Sequence, residues 1–314
     1  MRYFNLNIKH EHYTNENQTA AEYWLDQEKQ APVFFGETTI ADLLSGKKGN
    51  EAQEFAEIGG LEKKKQTNFV FVTIDSGKIW LFNPQGEICE LKPVTFERKK
   101  NVGMVTDIPK VISIKPIDQI QELGEIPLIL ASMKANQAFS RGTFREIDKD
   151  QYSGNIAAIN FLLKKDFSVD PLDCLSSVEF ETLVAKIFEA SNCFVPAYKG
   201  GFIKDVDLFV YGGRKADLLE LDAVKSDIDN GLSYHATVQL KLRTVKNGVP
   251  LDWFKASGHN LITLDSKPIE ALQEWHGKQY FTREWVRESI RRFPAAKKWL
   301  QQSLWWLPKK MKEL

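Results

Sequence analysis

SSVEFETLVAKIFEA (residues 176–190), KGGFIKDVDLFVY (199–211) and ATVQLKLR (236–243) decide how this chain is read. In the first stretch Val178, Leu183, Val184, Ile187 and Phe188 recur at the spacing of a helix face, with acids at Glu179 and Glu181. The second turns through Gly200-Gly201 into Asp205-Val206-Asp207-Leu208, the alternation of a half-buried strand. The third is a strand. Successive side chains alternate faces, so Gln239 and Lys241 share one face while Val238, Leu240 and Leu242 share the other. If Glu181 and Asp207 converge on the Gln239–Lys241 face, the result is a divalent-cation site with an amine beside it. Taken singly, each residue also reads plainly, as a solvated helix acid, an edge-strand acid or a strand amide. Their order and closeness in the chain favour the site.

The residue types match that chemistry. A carboxylate pair with neutral amide or carbonyl oxygens is a hard-oxygen shell suited to Mg²⁺, with Mn²⁺ as the alternative, and such an ion keeps several waters. Asp207, the Gln239 side chain and the backbone carbonyl of Leu240 are the expected metal ligands. Glu181, Asp207, Gln239 and Lys241 form the expected catalytic set, with Lys241 beside the scissile phosphate to orient the attacking water and offset transition-state charge.

The order helix Glu, strand Asp, strand Gln-x-Lys resembles the PD-(D/E)XK nuclease superfamily and, within it, the Mrr-like restriction endonucleases. The residues that carry the likeness are Phe180-Glu181, Gly200-Gly201 through Asp205-Val206-Asp207, Val238-Gln239-Leu240-Lys241 and HNLITLDS (259–266), within residues 172–270 or so. It implies an α/β restriction-endonuclease-like core, a mixed sheet flanked by helices, and hydrolysis of phosphodiester bonds. One departure is the long excursion 212–234, GGRKADLLELDAVKSDIDNGLSY, whose Asp217, Glu220 and Asp222 offer a less favoured set of ligands.

A chain of 314 residues suits two domains. Boundaries are expected at 1–150 for a small α+β, barrel-like amino-terminal domain, 151–171 for a linker, and 172–314 for the nuclease domain with its basic carboxy-terminal helix. A formal net charge of zero argues against a generic nucleic-acid coat. From residue 281 onward, however, nine Lys or Arg face three acids. Arg287, Arg291 and Lys298 lie on that stripe as expected DNA-backbone contacts. The alternative is a solvated helix face, with Trp285, Ile290, Phe293, Trp299, Leu300 and Leu304 packed inward. Three cysteines, without zinc spacing or an even disulfide set, read as buried hydrophobes of a reducing interior. No signal-peptide core or run of transmembrane length is visible, so a cytoplasmic protein away from membranes is expected.

In the first half, TAAEYWLDQEKQ (19–30) predicts a helix capped by Thr19. TNFVFVTID (67–75), GKIWLFNPQGEICELKPV (77–94) and PKVISIKPI (109–117) predict strands, with turns at Ser76-Gly77 and Asn83–Gly86, and IDQIQEL (117–123) a short helix. This region resembles the PUA-like group, including EVE and YTH modules, on KIWLFNPQGEI and on Asn136, Gln137, Phe139, Arg141, Gly142 and Phe144. The likeness implies a pocket that takes a flipped or modified base, with Trp80, Phe82, Phe139 and Phe144 as its walls. Each ring singly also reads as barrel core.

The expected function is a Mg²⁺-dependent DNA endonuclease of the restriction or phage-defence type, including one that acts on modified bases. Two strands and one site per chain call for dimerisation or two sequential nicks, and a homodimer is expected. The alternatives are a nuclease acting on RNA, one switched on by a nucleotide signal, or a non-catalytic nucleic-acid-binding protein.

Overall fold

Phe69–Asp75 and Lys78–Glu90 are rich in β-branched and aromatic residues, and they pair as a hairpin in which Asp75 faces Lys78 and Gly77 takes φ 77°. The computed structural model that contains them describes residues 1–8, 18–75, 77–97, 104–120, 143–149, 152–196, 206–227, 230–242 and 258–312. The chain divides into two compact units, Met1–Phe167 and Ser168–Leu314.

The first unit is built on a curled, half-barrel sheet. Its strands are β1 (Arg2–Leu6), β2 (Gln30–Val33), β3 (Phe69–Asp75), β4 (Lys78–Glu90), β7 (Lys110–Ile120) and β8 (Phe144–Glu146), in the order β2-β7-β4-β3-β1-β8. A separate ribbon joins β5 (Val94–Glu97) to β6 (Met104–Asp107). Among the described strands of this sheet only β1 and β3 run parallel; the other neighbours are antiparallel. The register aligns Phe4 with Phe71, Phe71 with Phe82, and Leu6 with Phe144, so these aromatics share one face. Helix α2 (Asn50–Gly59) closes that face with Phe55. Its Gly59 is required by close approach, because a Cβ there would lie 2.7 Å from Ile88 Cβ. Helices α1 (Ile40–Leu44) and α3 (Lys63–Gln66) flank it.

Local expectations in this unit meet mixed outcomes. Thr19 does cap: its hydroxyl accepts the Glu22 N–H at 3.1 Å while Glu22 accepts the Thr19 N–H at 3.0 Å, although the turn that follows, Glu22–Gln27, is π-helical. Asn83–Gly86 is no turn. It is a bulge within β4, where the register slips between Pro84 and Ile88. Side chains supply the bonds that regular pairing omits there: Asn83 Nδ2 donates to Phe69 O, and Gln66 bonds both the N–H and the C=O of Gly86. The short helix expected over 117–123 does not begin where predicted, because residues 117–120 continue β7 and pair with β4; residues 121–123 lie outside the described residues. In the segment expected as a linker, Ser153–Leu162 forms helix α4, which belongs to the first unit, and the boundary between units falls after Phe167.

The second unit is a mixed sheet with helices, an α/β arrangement. Helix α5 (Ser177–Ala190) precedes β9 (Leu208–Gly212), then come β10 (Val224–Lys225), β11 (Tyr234–Lys241), β12 (Asn260–Thr263) and β13 (Tyr280–Phe281). Central β11 pairs antiparallel with β9 and β10 and parallel with β12, which is parallel to β13. The residues of β12 are all buried, as the apolar strand in 259–266 predicts. Helices α6 (Arg283–Arg292) and α7 (Pro294–Ser303) follow, separated at Phe293-Pro294. Helix α5 packs against β9, β11 and α7.

Candidate functional site

Helix α5 opens on a capping box that separates its two acids. Ser176 Oγ accepts the Glu179 N–H, and the Glu179 carboxylate accepts the Ser176 N–H at 2.8 Å and its hydroxyl at 2.7 Å. Glu179 is thereby occupied in holding the helix start. The buried stripe runs through Phe180, Leu183, Val184, Ile187 and Phe188. Val178, expected inward, is 62% exposed, because two residues before Phe180 it lies about 200° around the helix from that stripe. Glu181 borders the stripe, in line with buried Val184, Ala185 and Phe188, and is half-buried.

Asp207 stands one residue ahead of β9. The antiparallel register ends at Leu208–Val238, and beyond it the Asp207 N–H donates to Val238 O at 2.9 Å. Its carboxylate Oδ2 accepts the Leu240 N–H at 2.6 Å, doing for β11 what a further strand residue would do. Gln239 is buried at 4% exposure, and its Oε1 finds no hydrogen-bond partner among the described residues. Lys241 is half-buried, and its ammonium has no ion pair among the described residues. Asp205 and Gly200-Gly201 lie outside the described residues.

The charges communicate. Burial pushes the Glu181 carboxyl above its ordinary range, the neighbouring Asp207 charge pushes it the same way, and Lys241 opposes both. Helix α5, the entry to β9 and the end of β11 therefore bring one acid, a second acid and one amine within electrostatic reach. Among the described residues, no three His, Cys, Asp or Glu are grouped so as to hold a metal. The expected ligand set is of another kind, since it uses the amide oxygen of Gln239 and the carbonyl of Leu240. A buried amide oxygen with no donor facing it fits a cation ligand. Two of the three acids named in the excursion are engaged elsewhere. Asp217 accepts from the Arg214 N–H and guanidinium, and Asp222 Oδ2 accepts Gln279 Nε2 at 2.7 Å.

The expected base pocket does not form from the aromatics named for it. Trp80, Phe82 and Phe144 are exposed by 4%, 1% and 1% and belong to the core of the first unit. Phe144 stacks on Phe4 at 4.8 Å and meets Phe55 and Phe71 edge-on at 5.0 Å each, while Trp80 Nε1 donates to Asp26 at 3.2 Å. Rings packed in this way have no face left for a base. Phe139 lies outside the described residues.

The basic stripe also divides. Arg287 is paired to Asp170, which further accepts Arg283 Nη1 at 2.8 Å, while Arg283 also bonds Asp173 and donates Nε to Leu264 O at 2.8 Å. Arg287 is thus tied within the second unit, because Asp170 neutralises it at close range. Arg291 is exposed, with Glu284 at 3.4 Å, and Lys298 is exposed on α7. The Asp170–Asp173–Arg283 cluster escaped the sequence reading, since its partners lie more than a hundred residues apart with no local pattern to join them. No helix among the described residues is long and apolar enough to cross a membrane. No family model, curated protein or solved structure matches the chain.

Proposed function

We propose that the second unit is a metal-dependent phosphodiester hydrolase, an endonuclease acting on DNA. The observation that carries this reading is the electrostatic coupling of Glu181 to both Asp207 and Lys241 beside the unpartnered Oε1 of Gln239. Asp207, Gln239 Oε1 and the Leu240 carbonyl would hold Mg²⁺. When bound, the ion polarises the phosphate and lowers the pKa of a coordinated water.

The protein's own groups supply the rest. The Leu240 N–H fixes one oxygen of the Asp207 carboxylate. Neutral Gln239 adds an oxygen without adding charge, so the anionic phosphate is not repelled by a third carboxylate. Lys241 sets a positive charge beside the phosphate and stabilises the added charge of the transition state. Glu181, the acid with the raised proton affinity, is suited to accept the proton of the attacking water. A homodimer would present one such set to each strand of a duplex.

The test is cleavage of unmodified and heavily modified phage DNA with Mg²⁺, comparing the intact chain with Asp207→Ala and Lys241→Ala. Cutting that disappears in both variants supports the proposal. Cutting that survives both, or no cutting of any DNA, sinks it.

A further inference from the structure

The excursion between β9 and β11 forms a wall of a concavity in the same unit. A cleft of ≈ 710 Å³ is lined by Lys215, Leu219, Glu220, Trp275, Lys278 and Arg292, among others. That volume lies within the range of about 300–1,000 Å³ usual for small-ligand sites. The three cations come from separate elements. Lys215 begins the 3₁₀ turn Lys215–Leu218, Lys278 precedes β13, and Arg292 ends α6. None of them has an ion pair among the described residues. Two carboxylates share the lining, Glu220 and Asp222, and the latter is already bonded by Gln279 Nε2.

The wall is held in an uncommon backbone conformation. Leu219 (φ 52°, ψ 53°) and Glu220 (φ 70°) are consecutive left-handed residues, closed by the Leu221 N–H donating to Leu218 O at 3.1 Å. This is a type I′ turn, whose central positions ordinarily take Asn and Gly; here a Leu and a Glu occupy them. Burial of Leu218, Leu219 and Leu221 holds the strained turn in place. Asp222 anchors its far end to the sheet, donating its N–H to Asn260 Oδ1 at 2.9 Å and accepting Asn260 Nδ2 at 3.0 Å. Across the cleft, Trp275 is half-buried against Leu261, Leu272 and Tyr280, so the indole is seated on a packed core.

We propose that this cleft binds a nucleotide, its base against Trp275 and its phosphate among Lys215, Lys278 and Arg292. An aromatic surface fixed by core packing beside three cations with no ion pair among the described residues, one of which, Arg292, lies over the Phe293 ring at 5.3 Å, matches a ligand that joins a planar ring to an anion. The same chemistry is offered by a free nucleoside phosphate and by one unit of a single strand. The proposal does not rest on phosphodiester cleavage by the Glu181–Lys241 cluster.

Calorimetric titration of the full chain in EDTA, where metal-dependent cutting is suppressed, tests it with ADP, an oligothymidylate and inorganic pyrophosphate as probes. ADP or the oligothymidylate should bind, and Lys278→Glu with Arg292→Glu should weaken that binding about tenfold or more, the loss of two close charge contacts. Trp275→Ala should weaken it as well, while Trp275→Phe retains most of it. Binding of ADP alone assigns the cleft to a free nucleotide, and binding of the oligothymidylate alone assigns it to a strand. No binding of either probe overturns the proposal, as does affinity unchanged by the charge reversal. Pyrophosphate binding as tightly as ADP overturns it too, since the site would then be for a bare anion. Lys278 and Arg292 are exposed, so their reversal decides the matter even if Trp275→Ala fails to fold.

Discussion

Asp207 Oδ2 accepts the Leu240 N–H at 2.6 Å, so one acid both ends the β9–β11 pairing and sits beside the Gln239–Lys241 strand. Structure and chemistry can be separated there by choice of substitution. Asp207→Asn keeps an oxygen able to accept the Leu240 N–H, whereas Asp207→Ala leaves that donor unmet. Urea unfolding should show a loss of about 1–3 kcal/mol for the Ala variant and little for the Asn variant. Both should lose cleavage. An Asn variant as unstable as the Ala variant would mean that the bond contributes little.

Glu181 sets a pH dependence of stability in metal-free buffer. Its carboxyl is raised above the ordinary 4.5 by burial and then by Asp207, against the pull of Lys241. A raised carboxyl means that the fold favours the protonated form. The associated stability is fully present below the ordinary value and is lost as pH rises through the raised one. Glu181→Gln should therefore be more stable than the parent at about pH 7, and the gap should close at about pH 4. Urea midpoints at the two pH values check this; an equal gap at both would show that Glu181 does not titrate in the expected sense.

Arg283 reaches three acceptors, Leu264 O, Asp170 and Asp173, with only 12% of its side chain exposed. Arg283→Ala would leave two half-sequestered acids with one fewer cation, at a cost of about 3–5 kcal/mol. Arg283→Lys should recover only part, because an ammonium cannot span the fork. Thermal unfolding of both variants measures it. The Leu264 N–H donates to Lys241 O at 3.3 Å, so cleavage should weaken in the Ala variant even at temperatures where it remains folded.

Phe144→Ala distinguishes core from pocket in the first unit. Its ring lies among Phe4, Phe55 and Phe71, and truncation should cost about 3–5 kcal/mol, read as a lowered unfolding midpoint. A variant of full stability that had lost only nucleic-acid binding would restore the pocket reading.

Legibility followed the range of the forces involved. Helix α5, the cap at Thr19, the strand at β11 and the buried strand at β12 could be read from sequence, because periodicity and capping act over a few residues. The same local logic misjudged Asn83–Gly86. A turn composition was kept inside a strand by bonds from Gln66 and Asn83 to distant backbone.

By itself the sequence determined which residue types stand on which elements: an acid on a helix flank, an acid before a strand, an amide and an amine two residues apart on another. Tertiary structure alone decided that Glu181 lies where it feels Asp207 and Lys241, whereas Glu179 is consumed by a cap only three residues away. It also decided that Trp80, Phe82 and Phe144 are core, and that Arg287 faces Asp170. Burial and charge pairing depend on which segments meet in space, and two partners a hundred residues apart leave no mark in the local pattern of either.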